Sequence, residues 1–110
     1  MSTKIKALIA SSMLFAGSAH ASDHANKTIS VVEVFSQSGS ACYFFQLNGV
    51  TVADSSISTG PWFAILESQP GAKALWSQLL TARATSMPLA RVSTNGLSVC
   101  GAAQVSVIDL

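Results

Sequence analysis

The chain has 110 residues, nearly half of them apolar, with six Lys and Arg against five Asp and Glu. So few basic residues, and those scattered, exclude a nucleic-acid footprint and a basic membrane-surface patch. The length suits one small domain with a thin core.

The first 21 residues read as a cleavable secretory signal. Lys4 and Lys6 precede an apolar run from Ala7 to Ala16, and the segment closes on Ala19-His20-Ala21. That is a basic region, a short hydrophobic region and a small-residue cleavage site in order. A spanning helix needs about 20 apolar residues, so the run is too short to be an anchor. Cleavage leaves 89 residues with four Lys and Arg and five Asp and Glu, a net charge of −1. The expected address is the periplasm or the medium of a bacterium, with no membrane attachment after cleavage. Few charges among many apolar residues predict a greasy surface and self-association into a homo-oligomer.

Residues 22–27 are polar and are expected to form a flexible tail, followed by a single domain over 28–110. Thr28 to Phe35 is rich in β-branched residues and reads as a strand with imperfect alternation. Residues 36–40 form a turn, and Ala41–Leu47 a second strand, giving a hairpin. Residues 51–60 are small and polar and read as a loop, with a short strand around Val50–Val52 as the alternative. Trp62–Leu66 is a compact third strand. Ser68 or Gln69 is a candidate cap, and Pro70 suits the first turn of a helix over Gly71–Thr85. Leu75, Leu79 and Ala82 form its apolar stripe, widened by Ala72, Trp76 and Leu80. Met87-Pro88 ends it. Leu89–Ser93 is the fourth strand and Asn95-Gly96 a turn. Ala103–Ile108 is the fifth strand, with Val105 and Val107 on one face and Ile108 on the other.

The order β-β-β-α-β-β is that of the OB-fold, a small Greek-key barrel. The fold class is therefore mainly β with one helix: an OB-like barrel, or alternatively an α+β sandwich with the helix on one sheet face.

Cys42 and Cys100 are the two cysteines, and in an oxidising compartment they pair. Such a bridge closes a loop of about 58 residues and contributes about 3–4 kcal/mol in the loop-entropy account. Neither a zinc site nor a redox C-x-x-C accounts for them.

No catalytic constellation emerges. His24 is the one histidine after the signal and lies in the polar tail. The acids are spread singly, and Glu67 with Asp54 is the weak candidate pair for a hydrolase, against a plain reading as surface charge. No metal site or cofactor is expected, and the protein reads as a non-enzyme. Phe44, Phe45 and Phe63 are expected in the core. Tyr43 alternates with Phe44, so one of the two faces outward. Tyr43 and Trp62, the latter just after a Gly-Pro turn, are the candidate ligand-contact residues, because each joins an apolar face to a polar handle. Trp76 and Leu80 are candidates for a subunit seam.

Ala41–Leu47, Trp62–Leu66, Lys73–Leu80 and Leu97–Cys100 stand in an arrangement that resembles the B subunits of bacterial AB5-type toxins. Those subunits are secreted OB-fold proteins that form pentameric rings and bind host glycans. The stretch ALWSQLLTARAT with the late cysteine is also similar, and closer in sequence, to small exported proteins of Gram-negative bacteria. The toxin resemblance implies a self-associating module that contacts a glycan or protein. The rival expectation is a periplasmic structural or inhibitor protein acting by protein–protein contact. The loop at 51–60 departs from the toxin subunits.

Overall fold

The computed structural model describes residues 22–37 and 40–110; the proposed signal at 1–21 and the centre of the turn at 36–40 lie outside them. The described chain is mainly β with one helix. Its elements are β1 (Ser22–Lys27), β2 (Ile29–Gln37), β3 (Ser40–Leu47), β4 (Phe63–Leu66), α1 (Ala72–Thr85), β5 (Leu89–Val99) and β6 (Ala102–Asp109). The strands form one six-stranded mixed sheet in the order β1-β5-β6-β4-β3-β2. The β4–β6 pair is parallel and every other pair antiparallel.

β1 and β2 are separated by Thr28 alone, yet they occupy opposite ends of that order. The corner is pinned. Asn48 donates to Thr28 through its backbone N–H at 2.9 Å and through its side-chain amide at 2.7 Å. Arg83 on α1 donates to the Ile29 carbonyl at 3.0 Å.

The segment expected to be a flexible tail is thus a strand. Its pairing with β5 runs through backbone groups, which carry no hydrophobic signature. His24, expected in solvent, places its Nε2 2.7 Å from the Ala53 carbonyl and sets its ring edge-on to Phe63 at 5.3 Å. The carbonyl can only accept, so Nε2 carries the proton. Ser93 donates its hydroxyl to Asp23.

Bulges explain where side-chain parity departs from expectation. In β2 the register moves from Ile29↔Leu47 to Val31↔Gln46, so Ser30 is extra. Ile29 and Val32 then both reach the core, while Glu33 and Phe35 turn to the opposite face. In β6 the register passes from Val107 to Val105 against Ser93 and Thr94, so Ser106 is extra. Val105 and Ile108 therefore share the core instead of opposing one another. Asn95-Gly96 is not a turn: β5 runs through it, with a bulge between Thr94 and Ser98. The tight turn comes later, at Cys100-Gly101, where φ values of 53° and 79° suit a two-residue hairpin connection.

The main core lies between the sheet and α1. Phe45, Phe63, Ile65, Leu89, Val92 and Val105 are buried against Ala72, Leu79 and Ala82 of the helix. The helix begins as expected but not by the expected cap. Gly71 precedes it at φ 76° with no side-chain cap bond. Gln69 instead accepts from the Leu66 N–H at 2.9 Å and donates to the Val105 carbonyl at 3.0 Å. It ties the end of β4 to β6. The helix ends with Ser86 at φ 54° and the Met87 N–H on the Ala82 carbonyl at 3.0 Å, a Schellman-type stop ahead of Pro88.

Candidate functional site

The two faces of β3 divide the molecule. Tyr43, Phe45 and Leu47 point toward the helix, while Cys42 and Phe44 point away and form a second, smaller cluster with Ala64 and Ala102. Trp62, Leu66 and Val99 pack against it. Phe44 therefore belongs to the outer face rather than the main core. Ala64 and Ala102 are small, so the strands beneath this face leave room above them.

That room is a groove of about 720 Å³, lined by Glu33, Phe35, Cys42, Phe44, Trp62 and the Cys100–Ala102 turn. The sheet register builds it. Glu33 stands opposite Phe44 and Phe35 opposite Cys42. Phe44 is the middle ring of three: Phe35 meets it edge-on at 5.4 Å, and Trp62 meets it edge-on at 6.1 Å. Such T-shaped contacts suit the charge distribution of the rings. Phe35 keeps half its surface in solvent. One wall is the Cys42–Cys100 disulfide, which carries the outer face of β3 across to the β5–β6 turn.

Trp62 is held by the chain on both sides of it. Its carbonyl accepts from the Ala103 N–H at 3.0 Å, and the preceding Gly60 carbonyl accepts from Ala53 at 2.8 Å. The loop that delivers Trp62 contains no strand, but it is not loose. Asp54, expected as surface charge, is fully buried. Its Oδ1 accepts from the Ser56 N–H at 2.9 Å and the Ser56 hydroxyl at 2.7 Å, and its Oδ2 accepts from the Gly96 N–H at 2.9 Å. Burial pushes this carboxyl up, but the Ser56 hydroxyl and the Ser56 and Gly96 amides outweigh it and hold the group below its ordinary value. Asp54 thus clips the loop to the β5 bulge. With its oxygens so occupied it is a structural anion, and Glu67 is exposed on the turn after β4.

The candidate contact residues separate. Trp62 lies in the groove. Tyr43 lies on the opposite face, stacked on Trp76 at 4.5 Å with the rings 14° apart. Trp76 is half-buried by this stack against the core, whereas Leu80 is exposed. Trp76 is therefore tied to the fold with part of its surface open, and Leu80 is the more exposed of the pair. The sequence missed Glu33 and Phe35 because the bulge at Ser30 reverses their parity.

Among the described residues no group of three or more His, Cys, Asp or Glu is placed to hold a metal ion, and no helix is long and apolar enough to cross a membrane. The disulfide is compatible with a periplasmic or secreted protein. Comparison with known proteins gives no match to any family model, curated relative or solved structure.

Proposed function

We propose that the protein is an exported, non-enzymatic binding module that contacts a glycan or protein partner through the aromatic groove. The groove itself carries this reading. Its volume of about 720 Å³ falls in the range of ligand sites, and three aromatic rings and one carboxylate stand among the described residues that line it. Surface rings placed together in a concavity, rather than scattered, are the usual mark of a contact site.

The OB-like barrel and the likeness to toxin B subunits belong to the same proposal. Three features support the barrel. β1 and β2 are one strand interrupted at Thr28, and each half pairs at a different end of the strand order. β4 and β6 run parallel. The helix joins β4 to β5. Translocation by the N-terminal segment, with release to the periplasm or medium, is proposed on the sequence pattern and agrees with the disulfide. Self-association is proposed on composition and on exposed Val34, Leu80 and Leu97.

The test is a glycan array and a pull-down from periplasm and medium, each run with the wild-type domain and with Trp62→Ala. The expected result is a ligand retained by wild type and weakened at least about tenfold by the variant, as for truncation of a buried aromatic contact. A ligand held equally by both proteins, or none held by either, would overturn the reading.

A further inference from the structure

Among the described residues that line the groove, Glu33 alone is ionisable in the bridged protein. Glu33 is half-buried beside Phe44, and no ion pair or hydrogen bond engages it among the described residues. A carboxylate left unpaired at the side of three aromatic rings selects a cation. The rings attract positive charge through their faces, and the carboxylate neutralises it at close range. An anionic ligand would meet Glu33 as repulsion.

We infer that the groove receives an arginine side chain presented by a partner protein. This rests on the groove being the contact site. A guanidinium fits what is there better than a sugar does. Its plane stacks on aromatic faces and its fork pairs with a single carboxylate, while the aliphatic stem covers apolar surface. A sugar buries many hydroxyls, each needing a partner. Among the described residues of this wall, Glu33 and Trp62 alone carry side-chain N or O atoms. A lysine would bring charge without the planar stacking surface.

The experiment follows the NMR signals of Phe35, Phe44 and the Trp62 indole during titration of the mature, oxidised protein. The probes are N-acetylarginine amide, the neutral isostere N-acetylcitrulline amide, and N-acetylglucosamine. The arginine probe is expected to shift all three residues saturably. The citrulline probe should bind about tenfold more weakly, and Glu33→Gln should weaken the arginine probe by a similar factor while leaving the remaining spectrum unchanged. Phe35→Ala, a change at an exposed ring, should weaken it as well. Equal binding of arginine and citrulline probes, an unaffected Glu33→Gln variant, or no shift with arginine overturns the inference. N-acetylglucosamine bound in preference to arginine overturns it in favour of a glycan and leaves the groove as the contact site. Silence from every probe, together with a partner capture indifferent to Trp62→Ala, removes the groove reading as well.

Discussion

Replacing Cys42 and Cys100 together should lower the unfolding free energy by about 2–5 kcal/mol, which for a domain of this size moves the melting midpoint down by roughly 10–30 °C. The size of the effect follows from what the bridge connects. β3 and β6 are not neighbours, because β4 lies between them. The disulfide joins β3 directly to the β5–β6 turn, across 58 positions of sequence. Cys42 is also buried in the outer cluster, so its loss opens space beside Phe44. Cys100 has a φ of 53°, and glycine suits that conformation better than serine. The pair Cys42→Ala with Cys100→Gly therefore separates loss of the bridge from strain in the turn. Thermal melting of this variant and of Cys42→Ser with Cys100→Ser, beside wild type with and without reductant, measures the contribution. Unchanged melting, with both thiols of the native protein open to an alkylating reagent, would rule the bridge out.

Asp54→Ala should cost about 2–4 kcal/mol, since it removes charge-assisted bonds and leaves polar donors without their acceptor. The Gly96 N–H loses its partner inside the β5 bulge, and the loop before Trp62 loses its clip. Faster hydrogen exchange at Gly96 and a lower melting midpoint near neutral pH are the expected readouts. The pH dependence has a definite sign. The folded carboxyl is held below its ordinary value, so its stabilisation is fully present above the unfolded carboxylate value of about 3.9. It is lost as pH falls through the lower, folded value. The difference in stability between wild type and Asp54→Ala should therefore narrow in strong acid and stay constant from mildly acidic to neutral pH. A variant that melts with wild type at neutral pH would show that the loop is held by other contacts.

The sequence announced the elements whose signals are local. Pro70 and Met87-Pro88 bracket the helix, and its observed span, Ala72–Thr85, differs from the expected one by a residue. The cysteine pairing was readable because only one pairing exists. What escaped was governed by partners distant in sequence. β1 is a polar strand whose place depends on the backbone of β5, and no periodicity in Ser22–Lys27 reveals it. The bulges at Ser30 and Ser106 each insert a residue and reverse the faces beyond it. For that reason the alternation in β2 does not place Glu33 and Phe35 beside Phe44. Strand alternation alone sets Tyr43 and Phe44 on opposite faces, but which of them meets the helix depends on the rest of the sheet. The burial of Asp54 had a local trace, an Asp two residues before Ser56 in an Asx-type turn. Its second anchor, Gly96, lies too far along the chain to be foreseen.

The proposed contact site has a built-in reporter. The chain holds two tryptophans, and Trp76→Phe keeps a ring against Tyr43 while leaving Trp62 as the sole indole. Emission from this variant, titrated with whatever partner wild-type protein retains, tests the groove most directly. A saturable change in Trp62 emission that tracks binding is the predicted result. Full binding with Trp62 emission unmoved would place the contact elsewhere on the molecule and contradict the account.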